Sequence, residues 1–233
     1  AFFDSDVIDV ELLYDNAMLS VNYNQAKVHN INWILSGSNT STEGMRMPNG
    51  WNWFKYDAKN IISIAKSQGI KSFKTFPLFS MKSFFVNEYI KRIKWVPFLD
   101  YIDYSKDSAI EYMEEHYGYK RYPYKHYESI FTRFYQGYIL PNKFNVDKRK
   151  LHFSTLIITN QLDRDDALEM LNQSPYSSEE ELRSDKEYFL KKMGWSSEQL
   201  IDYINRQPGN HNHFNSDLPL WKLMVKYYKK WIT

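Results

Sequence analysis

Apolar positions along the chain follow two spacings, and the spacing changes after the first third. Short runs at Val7–Val10 and Asn32–Leu35 are rich in β-branched and apolar residues, which is typical of strands. Between them lies a helical segment that Asp15 or Asn16 would cap and that reaches about Val28. This strand–helix–strand order predicts an α/β unit at the start of the chain.

The remainder of the chain carries helix-length segments bounded by capping residues. Ser178 with Glu181 and Ser196 with Gln199 form the spacing of capping boxes, in which a side chain satisfies the first free amides of a helix. Predicted helices run from Asp57 to before Gly69, Ser80 to about Lys94, Ser105 to Gly118, Glu128 to Leu140, Asp147 to Thr159, Asp163 to Leu171, Ser178 to Gly194, and onward from Ser196 and Leu220. The pattern therefore predicts an α/β opening followed by a mostly helical region.

Composition narrows the class of protein. Of 233 residues, 43% are hydrophobic and 25% charged, which is typical of a folded globular chain. The chain has no Cys, which excludes disulfides and thiol nucleophiles and favours a reducing, cytoplasmic location. No apolar run reaches the roughly 20 residues of a membrane span, so no membrane insertion is expected. A net charge of +2 gives no indication of nucleic-acid binding.

A small polar loop follows the second predicted strand and is the first candidate site. Gly37 would allow close backbone approach, and Ser36, Ser38, Asn39 and Thr42 supply short hydrogen-bonding groups. Ligands of open α/β sheets bind at the carboxyl ends of strands. Glu43 would orient a substrate amine or hold Mg²⁺. An ordinary connection between a strand and a helix explains the same residues.

The second candidate is the aromatic-rich segment from Lys125 to Tyr138. His126 and Glu128 would form an acid–base pair, and Glu128 lies within reach of Arg133 if the segment is helical. A buried aromatic helix with a hydrogen-bonded histidine is the alternative.

The third candidate is the segment from Asp147 to His152, in which Lys148, Arg149 and Lys150 stand together at the start of a predicted helix. Cations at that end oppose the helix dipole, which indicates an anion such as phosphate nearby. A solvent-facing basic turn is the alternative. His211 and His213 have metal-ligand character, but no carboxylate cluster accompanies them in the sequence, so no metal site is expected.

These segments together resemble a known family. The resemblance rests on Asp6–Leu12, Ile34–Asn39 with Thr42–Gly44, Lys74–Pro77, Tyr101–Tyr104, Lys125–Ser129 with Phe131–Tyr138, and Asp147–Arg149. In this order they are similar to the N-acetyl sugar amidotransferases of lipopolysaccharide and nonulosonic acid biosynthesis, over roughly residues 1–195.

The resemblance implies a fold and a reaction. The fold is α/β, with a partial Rossmann-like sheet of the adenine nucleotide alpha-hydrolase (ATP-pyrophosphatase) type and a mostly helical C-terminal region. Residues 1–56 would complete the nucleotide-binding domain, and residues 57–233 would form a helical domain for the substrate or partners. With ATP and Mg²⁺, the enzyme adenylates an acetamido oxygen on a nucleotide-linked or nonulosonic sugar, and ammonia displaces AMP to leave an acetamidino group.

The resemblance also implies site residues and partners. Glu43, Lys148 and Arg149 would be catalytic. The residues that would bind nucleotide or substrate are Ser36, Gly37, Ser38, Asn39, Thr42, His126, Glu128, Arg133 and Gln136. A glutaminase subunit would supply the ammonia, and a cyclase-like barrel would be a further partner.

The phosphate-binding loop of that family, Ser-Gly-Gly-x-Asp-Ser, has no counterpart in this sequence. We therefore expect the chain to be the C-terminal portion of a larger protein and to be inactive alone. Two alternatives remain open: a noncatalytic binding or assembly remnant of the enzyme, and an RNA-modifying relative of the same fold. The small net charge and the acidic C-terminal helices weigh against RNA.

Overall fold

The computed structural model of the protein describes residues 1–121 and 129–232. The chain forms two compact units, and each of them is built from separate stretches of sequence. Unit 1 contains Ala1–Leu35, Pro48–Val96 and the segment from Gln207 to the end of the chain; unit 2 contains Ser36–Met47 and Pro97–Arg206. Residues on both sides of position 56 belong to unit 1, so the predicted division between residues 56 and 57 does not coincide with a boundary between compact units.

Helices make up most of the described structure, and two short strands accompany them. The strands pair in parallel as a two-stranded sheet. The regular elements, in chain order, are α1 (Leu12–Val28), β1 (Trp33–Ser36), α2 (Thr40–Glu43), α3 (Ala58–Ser67), α4 (Met81–Phe85), β2 (Lys94–Pro97), α5 (Lys106–Tyr117), α6 (Ile130–Phe134), α7 (Leu140–Phe144), α8 (Arg149–Ile158), α9 (Arg164–Asn172), α10 (Glu179–Met193), α11 (Ser197–Asn205) and α12 (Leu218–Ile232). The protein is therefore a mixed α/β protein that is mostly helical.

The strand predicted at Val7–Val10 is wrong. Val7 and Val10 are buried, as the pattern required, but the segment runs as turns and bends and leads directly into α1. The Asp9 carboxylate accepts a hydrogen bond from the Leu12 amide at 3.0 Å, so α1 begins earlier than predicted. The apolar side chains here contribute to a core without any sheet, because burial and strand pairing are separate requirements.

Asn16, one of the two residues predicted to cap α1, lies inside that helix and is fully buried. Its side-chain amide donates to the Phe79 carbonyl at 2.7 Å and to the Lys55 carbonyl at 2.8 Å. It also accepts from the Phe79 amide at 2.9 Å. Asn16 therefore ties α1 to two loops of unit 1, a role that depends on tertiary contacts.

Most predicted helix ends are confirmed. Asp57, Ser80, Ser178 and Ser196 each accept a hydrogen bond from an amide in the first turn of the helix that follows. Gly118 and Gly194 end α5 and α10 in the left-handed conformation that glycine adopts most readily. Local capping chemistry thus sets these ends.

Two predicted helix bounds are wrong. The helix after Ser80 continues from α4 through a π-helical turn at Val86–Ile90 and ends there; β2, which the pattern did not indicate, follows. The helix containing α6 does not stop at Pro141. It passes through a second π-helical turn, Tyr135–Ile139, where the Leu140 amide bonds back to Tyr135, and Pro141 falls in the first turn of α7. Proline is tolerated there because early helical amides have no carbonyl partner within the helix.

Each unit has its own apolar core. In unit 1, Tyr23 and Ala26 of α1 pack with Phe79 and Ile93, and the rings of Tyr23 and Phe79 stack at 4.9 Å. In unit 2, α6 packs on α10, and Phe134 meets Phe189 at 4.9 Å between ring centroids. Among the described residues, no helix combines the length and the apolar character needed to cross a bilayer.

Candidate functional site

A cavity of about 210 Å³ lies within unit 2, where α8 faces neighbouring helices and the loop that carries α2. Its lining mixes apolar side chains with cations, carboxylates and amides. The lining residues are Thr42, Lys106, Asp107, Gln136, Pro141, Asp147, Lys148, Arg149, His152, Phe153, Leu156, Gln161, Leu162, Met170 and Pro175. Nine of these fifteen residues are polar or charged, and small-molecule sites combine such groups, which orient the ligand, with apolar concave surface.

The cavity brings together residues from all three candidate segments. Thr42 comes from the loop after β1, Gln136 from the aromatic segment, and Lys148 and Arg149 from the basic run. Gln136 stands in the π-helical turn that precedes α7, and it is almost fully buried. Because π-helical turns often occur at functional sites, this one is a second local feature at the cavity. Sequence reasoning that treated the three segments separately could not place them together.

Arg149 is held by its surroundings rather than presented to the cavity alone. Its guanidinium group donates to the Asp147 carboxylate at 2.8 Å from Nη2, and its Nη1 donates to the carbonyls of Met170 and Gln173 at 3.2 and 2.9 Å. Met170 lies in the last turn of α9, so the arginine satisfies carbonyls at that helix end. The geometry gives Arg149 a positioning role that joins the start of α8 to the end of α9.

Asp147 explains why cations are tolerated where α8 begins. Its carboxylate accepts from the Arg149 amide at 2.9 Å, which places a negative charge at the helix end that favours one. The sequence argument had required an external anion for this purpose. The Asp147 carboxylate is that anion. The helix-dipole argument alone therefore gives no evidence that phosphate binds at the basic run.

Lys148 and Lys106 are the other cations of the lining. Both are half-buried, and Asp107, which is exposed, is the carboxylate of the lining besides Asp147. The lining holds the cations Lys106, Lys148 and Arg149 and the carboxylates of Asp107 and Asp147, a net formal charge of +1. His152 adds a ring one turn along α8 from Lys148. The cavity therefore has a modest preference for an anion.

Gln161 and Thr159 attach the loop around α2 to the end of α8. The Gln161 amide nitrogen donates to the Ser41 carbonyl at 2.9 Å, and Thr159 donates its hydroxyl to the same carbonyl at 3.0 Å. Thr42 is buried, and its backbone amide donates a hydrogen bond to the Asn39 side chain at 2.9 Å. Gln161 follows the end of α8 with no motif around it, so no sequence signal indicates its place in the cavity.

The other loop residues that we predicted to bind ligand do not line the cavity. Ser36 and Ser38 hydrogen bond to each other through their hydroxyls at 2.6 Å, and Asn39 donates to the Gly37 carbonyl at 3.3 Å. Glu43 is exposed at the end of α2, where its charge raises the pKa of Tyr104 in addition to the larger effect of burial. The loop does follow the end of β1, but Thr42 is its contribution to the cavity.

Arg133 lies away from the cavity lining. Its guanidinium group forms two hydrogen bonds of 2.6 and 2.7 Å with the nearly buried Asp185 carboxylate and an ion pair of 2.9 Å with Glu181. The hydrogen bond to Asp185 is the main cause that raises the pKa of Arg133. These contacts link α6 to α10. His126 and Glu128 lie outside the described residues.

Unit 1 contains a second cluster of polar side chains, centred on Asp9 and His211. Asp9 accepts from the Trp53 amide at 2.6 Å and from Lys55 Nζ at 2.9 Å, and Lys55 also pairs with Asp15 at 2.8 Å. Burial opposes the charge on Lys55, but the carboxylates of Asp9 and Asp15 outweigh it, so the pKa of Lys55 is raised. The cluster connects three distant stretches of sequence and borders no cavity lining described above.

His211 is fully engaged in hydrogen bonds within this cluster. Its Nε2 accepts from the Asp9 amide at 3.2 Å, which requires the proton on Nδ1, where Asn60 Oδ1 accepts it at 2.7 Å. The ring stacks on Trp53 at 4.9 Å. Across the described residues, no group of three or more His, Asp or Glu side chains is placed to hold a metal ion.

The buried neutral state of His211 predicts a pH-dependent stability. Burial lowers the pKa of His211 to about 4, although the nearby Asp9 opposes the shift. Between pH 6.5 and about 4 the imidazole is therefore protonated in the unfolded state but neutral in the folded state. The free energy of unfolding falls as the pH is lowered through this window. We expect a loss of roughly 3 kcal/mol in the free energy of unfolding from this residue.

Urea titrations at pH 7 and pH 4.5 would measure this loss, with His211→Gln compared with the exposed His29→Gln. Stability should depend less on pH in His211→Gln than in the unchanged protein, while His29→Gln should follow the unchanged protein. Equal pH dependence in both variants would contradict a neutral buried imidazole.

Most of the residues that line the cavity lie in the part of the chain that matches a protein-family model. Residues 128–228 match the family model of the LPS biosynthesis protein WbpG-like, C-terminal domain. This match relates the chain to lipopolysaccharide biosynthesis proteins. The WbpG-like region spans 101 of 233 residues and contains every lining residue of the cavity except Thr42, Lys106 and Asp107. No curated protein and no solved structure matches the chain.

The size of the cavity limits what it can enclose. Sites for drug-sized ligands commonly measure about 300–1,000 Å³. At about 210 Å³ the cavity is too small to enclose a whole nucleotide such as ATP, while one polar ring or one anionic group is a better fit. Glu43, the residue predicted to hold Mg²⁺, stands outside the lining and is exposed. The described residues therefore do not fit ATP or Mg²⁺ at this cavity.

Proposed function

We propose that the chain is the sugar-binding portion of an enzyme of lipopolysaccharide biosynthesis, and that the unit 2 cavity holds the acetamido end of its sugar substrate. The observation that carries this proposal is the position of the cavity. It lies in the region that matches the WbpG-like C-terminal domain, and its polar lining suits an anionic, amide-bearing ligand.

The chemistry of the lining supports such a ligand. Lys148 and Lys106 would attract the charge of a sugar-linked phosphate or of a nonulosonic carboxylate. The Gln136 amide can donate and accept, and the Thr42 hydroxyl, which donates to Asn39 at 3.2 Å, can accept, which suits an acetamido group with one N–H and one carbonyl. Phe153 and Leu156 supply apolar surface for the methyl group and for the faces of the sugar ring.

The reaction that we propose for the complete enzyme is the ATP-dependent conversion of this acetamido group to an acetamidino group. ATP would transfer its adenylyl group to the amide oxygen and release pyrophosphate, which would make that oxygen part of a good leaving group. Ammonia from a glutaminase partner would then add to the amide carbon and displace AMP, and a cyclase-like barrel would be a further companion. ATP and Mg²⁺ would bind outside the cavity, in a Rossmann-like sheet to which β1 and β2 would belong.

Deletion of the gene in its own organism tests this proposal. The surface polysaccharide should lose acetamidino sugars and keep the corresponding acetamido sugars, as measured by mass spectrometry of the released sugars. A gene that carries Lys150→Ala should restore the acetamidino group, because Lys150 is exposed and lies outside the cavity lining. A gene that carries Lys148→Ala should restore much less. Unchanged acetamidino content after the deletion would contradict the proposed reaction.

A noncatalytic assembly role is the second candidate. It is favoured by the engagement of Arg149 in structural hydrogen bonds and by the exposed position of Glu43 away from the cavity. In that case the deletion would reduce the amount of polysaccharide without changing its acetamidino content, and Lys148→Ala would restore it fully.

A further inference from the structure

The C-terminal helix α12 carries a row of large apolar side chains that face solvent. Leu220, Leu223, Met224 and Tyr227 are 50%, 48%, 37% and 56% exposed, and they recur at the spacing of one helix face. A helix of a globular protein ordinarily turns such a row toward a core. In α12 this row stays exposed, while a different face of the helix packs on the rest of unit 1.

The packed face of α12 is a different one. The Trp221 ring lies 5.0 Å from the Phe54 ring and 5.6 Å from the Phe84 ring, so it anchors the helix to the aromatic core of unit 1. Trp221 lies on a different face of the helix from the exposed row. Although it precedes Met224 by only three residues, its side chain is about a quarter turn around the helix axis from the row Leu220–Tyr227. The exposed row is therefore not a consequence of an undocked helix.

The charge on α12 has a single sign. The helix contains Lys222, Lys226, Lys229 and Lys230 and no Asp or Glu. Lys222 and Lys226 are exposed and lie one turn apart, beside the apolar row at the helical spacing. Helices with an apolar face, a lysine-rich face and no acidic residue bind in the plane of anionic bilayer surfaces, where the lysines reach the phosphates.

We propose that α12 is a membrane-surface anchor that docks the protein on an anionic lipid bilayer. Leu220, Leu223, Met224 and Tyr227 enter the boundary between headgroups and acyl chains, and Lys222 and Lys226 contact lipid phosphates. The charge argues against a second copy of the chain as the occupant, because a symmetric contact would face two lysine-rich helices toward each other. This inference is independent of the sugar chemistry of unit 2.

Vesicle flotation of the full chain tests the anchor. Vesicles of phosphatidylcholine with about 30% phosphatidylglycerol should carry the protein, with at least about tenfold weaker binding to pure phosphatidylcholine. Leu223→Ser with Met224→Ser should weaken binding about tenfold or more, because two apolar side chains no longer enter the bilayer. Lys222→Gln with Lys226→Gln should weaken binding by a similar factor and make the remainder less sensitive to salt.

The matched control replaces exposed apolar residues elsewhere. Leu168→Ser with Ile201→Ser changes side chains of 44% and 54% exposure in unit 2 and should leave vesicle binding unchanged. Circular dichroism should show the same helix content for all variants. Failure to bind anionic vesicles would overturn the proposal. Vesicle binding by the Leu223→Ser, Met224→Ser variant that equals that of the unchanged protein would also overturn it. A protein that binds an acidic amphipathic peptide but not vesicles would show that the partner is a protein. A dimer that the same variant abolishes would show that the row binds a second copy of the chain.

Discussion

Replacing Asp57 by alanine is expected to destabilise the protein by about 3–5 kcal/mol, since the loss of one buried charged partner leaves several donors unsatisfied. Asp57 is fully buried. It accepts from the Asn60 amide at 3.0 Å as the cap of α3, from Trp53 Nε1 at 2.9 Å and from the Asp217 amide at 3.1 Å, and also from the Ser216 hydroxyl. One carboxylate thus holds the start of α3 to the segment that precedes α12.

The matched control is Asp163, which caps α9 in the same way but is exposed. Its carboxylate accepts from the Asp165 amide at 2.7 Å. Asp163→Ala should cost only about 1 kcal/mol, which is typical of a lost cap on the surface. Urea denaturation of both variants measures the difference. Equal losses of stability would mean that the contacts of Asp57 across unit 1 contribute nothing beyond helix capping.

Asp57 also illustrates which parts of the fold the sequence could predict. Its role as a cap was predictable because a cap depends on a residue and the amides two or three positions later. Its bonds to Ser216 and Asp217 were not, because they join segments about 160 residues apart. The strand predicted at Val7–Val10 failed for the related reason that burial of β-branched residues does not require a strand partner.

The candidate site also combines local features that the sequence could predict with contacts that depend on the tertiary structure. The sequence indicated the basic run at Lys148 and Arg149, but it assigned both residues one role. In the structure the guanidinium group of Arg149 donates to Asp147 and to the carbonyls that end α9. We therefore expect Arg149→Ala to lower the stability of the protein, because these hydrogen bonds join α8 to α9. His152 stood in the third candidate segment without a role of its own, and Gln161 went unnoticed because only tertiary packing brings it to the cavity.

Lys148→Ala is expected to weaken binding of an anionic acetamido sugar by about 10- to 100-fold, because a hydrogen bond to a charged group contributes about 1.5–3 kcal/mol. Lys148 lines the cavity beside the paired Asp147 and Arg149, and its charge is not required to cap α8. Arg149→Ala should weaken binding as well, but together with a clear loss of stability.

Calorimetric titration of a UDP-linked 2-acetamido sugar into the full chain tests the central claim most directly, with Lys148→Ala and Lys150→Ala as a matched pair. Lys150 belongs to the same basic run but is exposed outside the cavity lining. The account predicts that the unchanged protein and Lys150→Ala bind with the same Kd within about twofold, while the Kd of Lys148→Ala rises by about 10- to 100-fold. Equal Kd values for the two variants, or no binding by the unchanged protein, would contradict the assignment of the cavity as the sugar site.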